Sequence, residues 1–196
     1  MFLFKIILLV SVFYVSKSKN VYMPNLPVGK YRIVVHTVNP CETTQDLEIQ
    51  LNLYLSKKAR NFTEVLGNIT ARTVFDDSFS ADYNLATWSL SGGWKPNFYV
   101  YKGINACSTF KYILGNAWTS VQKAFDFPSD KCPVQPGTFI SKGINVKVIE
   151  DNRAPKVYFY GKYKMVFKLK NKENKLSACM MSEFDLVRPW EVPENY

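Results

Sequence analysis

Cys107-Ser-Thr-Phe-Lys-Tyr-Ile-Leu114, Cys132-Pro-Val-Gln-Pro-Gly-Thr-Phe139 and Leu176-Ser-Ala-Cys179 mark the stretch whose reading decides the fold. One cysteine opens a segment of helical period. A second precedes a Pro-Gly turn. A third sits in the last apolar run. Cys107, Phe110, Ile113, Leu114, Ala117, Trp118 and Val121 recur at three- and four-residue spacing, which predicts one amphipathic helix. Asn105 or Ser108 is placed to cap it, and Phe127-Pro-Ser-Asp130 to end it.

On either side of this helix the period falls to two. Leu47, Ile49, Leu51, Leu53 and Leu55 alternate with polar neighbours, and Val65, Gly67, Ile69, Ala71, Thr73 and Phe75 do the same. Further strands are expected at 31–37, 81–90, 97–102, 138–148, 156–170 and 176–187. Across 156–170, Val157, Phe159, Tyr163, Met165, Phe167 and Leu169 share one face. Lys156, Lys162, Lys164, Lys168 and Lys170 share the other. Asn171-Lys-Glu-Asn174 reads as the following hairpin turn. Many short strands separated by turn signals argue for a mainly β protein, a sandwich or a barrel.

The chain opens Met1-Phe-Leu-Phe-Lys5, continues as an apolar run to Val15, and then offers Ser16 and Ser18. This is the layout of a secretory signal peptide, too short for a membrane span. Residues 1–18 are therefore expected to be removed, leaving 19–196 as a single secreted domain. All four cysteines, Cys41, Cys107, Cys132 and Cys179, lie in that domain. An even count in a secreted chain predicts two disulfides, with three pairings open. None has the spacing of a zinc site, so no metal is expected. Asn61-Phe-Thr63 and Asn68-Ile-Thr70 are N-glycosylation acceptors.

The formal charge is +9. A basic secreted protein is either simply solvated or drawn to anionic lipid or acidic glycans. No nucleic-acid-binding motif is present, and nucleic acid is not an expected partner. The one-sided lysines 162, 164, 168 and 170 have two readings: a solvated or edge-protecting face, or a contact for an anionic membrane or receptor. Trp94, in a Gly-Gly-Trp-Lys-Pro turn, is the second candidate membrane contact.

Catalytic signals are sparse. His36 is the only histidine, and Asp76-Asp77 and Glu150-Asp151 are neighbours in sequence at strand ends rather than carboxylates facing across a cleft. Ser91-Gly-Gly93 is a turn, not a phosphate loop. Neither an enzyme nor a cofactor is expected.

The segments Cys107-Ser-Thr-Phe, Cys132-Pro-Val-Gln-Pro-Gly-Thr-Phe139, Gly161-Lys-Tyr163 and Asn174-Lys-Leu176-Ser-Ala-Cys179-Met resemble the ganglioside activator family and its insect chemosensory-B type relatives, within the lipid-recognition (ML) class. The resemblance is best over 105–187. It implies the pairings Cys107–Cys132 and Cys41–Cys179, although the activator carries further cysteines that this chain lacks. It also implies a cup-like β-sandwich with an apolar cavity, and a role as carrier or cofactor for a lipid or other hydrophobic molecule, in chemosensation for the insect relatives. On that reading Leu51, Leu53, Ile69, Phe75, Val100, Phe159, Met165 and Phe167 line the cavity, with Phe110 and Leu114 closing one side. The alternative is an extracellular ligand or co-receptor that acts through its surface and has a filled core.

Overall fold

The computed structural model describes residues 26–42, 46–59 and 62–191. The expected signal segment 1–18 and Asn61 lie outside them. The chain is mainly antiparallel β. Its strands are β1 (Val28–Lys30), β2 (Arg32–Pro40), β3 (Ile49–Ala59), β4 (Phe62–Ala71), β5 (Ser80–Ser89), β6 (Gly93–Gly103), β7 (Gly137–Ile140), β8 (Ile144–Asn145), β9 (Val157–Phe159), β10 (Gly161–Lys170) and β11 (Leu176–Val187). Two sheets face each other. One has the order β2-β11-β10-β5-β6; the other has the order β3-β4-β7, with β8 also beside β4. A small β1–β9 ribbon stands apart.

Alternation in sequence becomes sidedness through the register. Met165 lies opposite Leu85 and Ser182, Phe167 opposite Tyr83 and Met180, and Leu169 opposite Ala81 and Ala178. These residues therefore share the inner face. Phe167, Leu169, Phe79, Ala81, Ala106 and Ala178 join Ile49 and Ala71 of the facing sheet in one core, with Leu51, Ile69 and Phe75 packed against it. Complete burial of a large apolar side chain stabilises by about 1.5–3 kcal/mol, so this seam holds the two sheets together.

The single helix expected from 107 to 121 is two helices, α1 (Ala106–Leu114) and α2 (Asn116–Phe125). Gly115 separates them with φ 55° and ψ −125°, a conformation open to glycine and costly to other residues. The break turns α2 so that Trp118 and Phe125 bury against Val65 and Ile144 of the four-stranded sheet, in a second core that also holds Cys107, Phe127 and Val134. Neither sequence-predicted cap operates. Asn105 makes no side-chain cap. Instead the Asp77 carboxylate accepts from the Ser108 N–H at 2.8 Å and the Ser108 hydroxyl at 2.6 Å, serving the open helix start from outside.

Cys41 is bonded to Cys179 and Cys107 to Cys132, with Cα–Cα distances of 5.4 and 6.1 Å. These are the two pairs that the resemblance implied. The first fastens the end of β2 to β11; the second fastens α1 to the segment leading into β7. Among the described residues, no helix is long and apolar enough to cross a membrane.

Two expected strands are divided. The 138–148 segment is β7, β8 and a 3-10 helix over Val146–Glu150. The 156–170 segment breaks at Gly161, whose φ is +151°. β9 therefore leaves the sheet and pairs with β1, taking Phe159 off the face that Tyr163, Met165 and Phe167 share.

Candidate functional site

β6 closes the five-stranded sheet on one side and, among the described residues, pairs only with β5. Its register fixes which side chains look inward. Tyr101 lies opposite Tyr83, and Tyr99 opposite Leu85, so both tyrosines extend the inner face. Near its start the ladder slips: the register shifts between Leu85 and Thr87, and Asn97 takes φ 59°. The Asn84 side chain fixes this bulge, donating to Asn97 Oδ1 at 2.6 Å and accepting from the Asn97 N–H at 3.3 Å. A bulge re-aims the side chains beside it. Here it sets Phe98 on the same side as Tyr99, with ring centroids 5.8 Å from Tyr163, 6.3 Å from Tyr158 and 6.4 Å from Phe159.

The result is an aromatic rim open to solvent. Phe98, Tyr99, Tyr101 and Phe159 are 42%, 52%, 37% and 50% exposed. Inward from the rim the rings become progressively covered. Tyr101 lies 5.9 Å from Tyr83, Tyr83 5.0 Å from Phe167, and Phe167 stacks on Phe110 at 5.8 Å. Phe110 meets Trp118 in the second core at 6.2 Å. A continuous path of aromatic surface thus runs from the open edge to the helices. Clustered exposed apolar residues of this kind mark interaction sites far more often than single ones do.

The path overlaps only part of the cavity set expected from sequence. Leu51, Ile69, Phe75 and Phe167 pack together in the sheet–sheet core, and Leu53, Phe110 and Leu114 pack against the helix core, joined there by Ile69 and Phe75. Met165 is half-buried on the inner face beside Leu85. Phe159 stands at the rim rather than within the sandwich. Val100 is corrected: it pairs with Asn84, which pairs with Val166, so it lies on the outer face and is exposed. Lys102, two residues on and of the same parity, carried that signal in the sequence. Tyr83, Leu85, Phe98, Tyr99 and Tyr101 were not among the residues expected to line the cavity. Three of them sit in one Phe-Tyr-Val-Tyr run, whose alternation is masked by being apolar on both faces.

The lysine face is the outer face of the same sheet. β10 lies between β11 and β5, so its lysines do not guard an edge. Lys164 pairs with Glu183 at 2.9 Å and Lys170 with Asp82 at 2.8 Å. Trp94 folds back over this face, edge-on to Trp88 at 5.3 Å, with the Lys164 ammonium 4.6 Å from its ring. Lys162 stands about 6 Å from both tryptophan rings. Beside these residues is an open recess of about 650 Å³, floored by Val166, Leu176, Met181 and the Cys41–Cys179 disulfide and rimmed by Lys168 and Lys170.

The acidic and histidine candidates serve the scaffold. Asp76 accepts from the Ser78 hydroxyl and N–H, which hold its carboxyl below the usual carboxylate range. Asp77 serves α1, Glu150 accepts from the Ile33 N–H at 2.8 Å, and His36 contacts Asp185 at 2.8 Å. Among the described residues, no group of three His, Cys, Asp or Glu side chains is placed to hold a metal ion. Asn68 lies on the outer face of the four-stranded sheet, donating to Thr70 Oγ1 at 3.1 Å within its own acceptor motif.

No protein-family model matches this chain, and no curated protein matches it either.

Proposed function

We propose that this is a secreted, non-enzymatic protein that binds a hydrophobic small molecule against the inner face of its five-stranded sheet, through the side left open at β6. The observation that carries the reading is the aromatic rim, Phe98, Tyr99, Tyr101 and Phe159, continuous with the covered rings of Tyr83, Phe167 and Phe110. An isolated domain gains nothing from leaving these rings wet. A ligand that covers them gains about 25 cal/mol for each Å² of apolar surface removed from water. Two closed disulfides fit an oxidising compartment, and the apolar opening segment fits export. The resemblance over 105–187 agrees with a lipid or other hydrophobic ligand, carried or presented to a receptor.

The test is native mass spectrometry of the secreted protein with extraction of what it carries, joined to displacement of a fluorescent naphthylamine. Tyr99→Asp puts a charge on the rim at a half-exposed edge position. It is expected to weaken dye binding about tenfold or more while changing stability by less than about 1 kcal/mol. A wild-type protein that binds no dye and carries no extractable molecule would sink the reading in favour of a surface-acting ligand.

The outer face adds a salt-dependent contact with anionic vesicles. Lys164 and Lys170 are engaged by Glu183 and Asp82 within 3 Å, whereas Lys162 and Lys168 lie opposite Asp185 and Asp82, which already pair with His36 and Lys170, so these two lysines are the ones offered to a surface. At about 1 kcal/mol for each lysine near an anionic surface, binding is expected to be weak and to vanish at high salt. In vesicle co-sedimentation, Lys162→Glu with Lys168→Glu should abolish it. Retention of binding by that variant would assign the contact elsewhere.

A further inference from the structure

Among the described residues, four side-chain polar atoms are buried without a hydrogen-bond partner: Arg32 Nε, Asp185 Oδ1, Arg188 Nε and the Tyr83 hydroxyl. The first three belong to groups that spend their other atoms well. Arg32 donates to the Glu191 carbonyl, Asp185 meets His36 through Oδ2, and Arg188 donates to Glu191 and the Leu26 carbonyl. Tyr83 differs, because its hydroxyl is the only polar atom of the side chain. It lies in the middle of the aromatic path, 5.9 Å from the Tyr101 ring and 5.0 Å from the Phe167 ring. Burial, and next to it the neighbouring Tyr101, push its phenol well above the ordinary range, so it stays protonated and can donate. A buried donor left unpaired is unfavourable, and a phenylalanine of the same shape would avoid the cost.

We propose that the Tyr83 hydroxyl is the polar contact of the binding site, donating a hydrogen bond to a neutral oxygen of the ligand. This rests on the hydrophobic-ligand reading and narrows it to a chemical class. The rings of Tyr101 and Phe167 flank it, and it packs against an apolar core. An ionised headgroup would be desolvated there. A ketone, ester or ether oxygen on a long apolar body would satisfy the donor and keep the burial. Tyr101 guards the approach. Its ring lies back over Gly103, where an added Cβ would stand 2.8 Å from it, and it is part-exposed on a strand with one neighbour.

The experiment compares wild-type protein with Tyr83→Phe in the naphthylamine displacement assay, using methyl undecyl ketone and tridecane. The two probes share a carbon count and differ in one oxygen. Tyr83→Phe is expected to weaken the ketone about five- to thirtyfold and to leave tridecane within about twofold. Ligand-free Tyr83→Phe is expected to melt at or above the wild-type temperature, which separates loss of a ligand contact from loss of fold. Equal shifts for both probes, or none for either, would overturn the role of Tyr83 while leaving the site standing. A wild-type protein that takes up neither probe would overturn the site and this inference together.

Discussion

Replacing Cys41 and Cys179 together by alanine is expected to cost about 4–5 kcal/mol, the larger of the losses from opening either bridge. The bridge spans 138 residues, and the restriction it places on the unfolded chain grows with the logarithm of that span. The Cys107–Cys132 bridge spans 25 residues and is expected to be worth about 3–3.5 kcal/mol. Against a usual total of about 5–15 kcal/mol, the long bridge alone decides whether the domain stays folded when warm. Its local role agrees. Pro40, the last residue of β2, pairs with Met180, and the Cys41 N–H donates to the Cys179 carbonyl at 3.3 Å. Urea unfolding of the two double variants provides the comparison. A Cys41→Ala/Cys179→Ala protein with the wild-type midpoint would mean that the β2–β11 end holds without its covalent tie.

Gly67→Val is expected to destabilise by about 3–5 kcal/mol. Gly67 has φ +116°, which side chains rarely adopt, and a Cβ there would stand 1.9 Å from the Asn52 carbonyl oxygen of β3. Backbone strain of about 1–3 kcal/mol adds to an overpacking cost of similar size. For a domain of this length that means a fall of about 6–20 °C in melting temperature. Gly103→Ala is the matched control. There the added carbon meets only the Tyr101 ring, which can swing away. Equal melting temperatures for the two variants would refute the close approach of β3 and β4.

The strands were legible where one face of a sheet is wet. Leu47 to Leu55 and Tyr163 to Leu169 read as strands because their alternate positions are mostly polar, Val166 being an exception. The helix was legible as an apolar stripe, but its break was not. Gly115 looks like any interior glycine until Arg153, far along the chain, donates its N–H to the Ile113 carbonyl at 2.8 Å. The ion pairs were illegible for the same reason. That Lys164 meets Glu183 and Lys170 meets Asp82 follows from strand register, which local sequence does not carry. The rim escaped because Phe98 to Tyr101 are apolar on both faces, so alternation did not say which parity points inward, and because a bulge held by Asn84 and Asn97 turns Phe98 to the inner side. Val100 was misplaced because its outer parity is declared only by Lys102, two residues on.

One property of β6 reaches beyond its side chains. Its 11 residues are held to the body by one hydrogen-bonded ladder, and among the described residues no strand pairs with its outer edge. Interior strands such as β10 must break two ladders to move; β6 must break one. Local opening free energies follow such differences, from near zero at frayed segments to the full unfolding free energy in the centre. The seam that exposes the inner face is therefore held from one side only. On the proposed function, exchange of a bound molecule would need only the opening of this one ladder, while both disulfides and the sheet–sheet core remain shut.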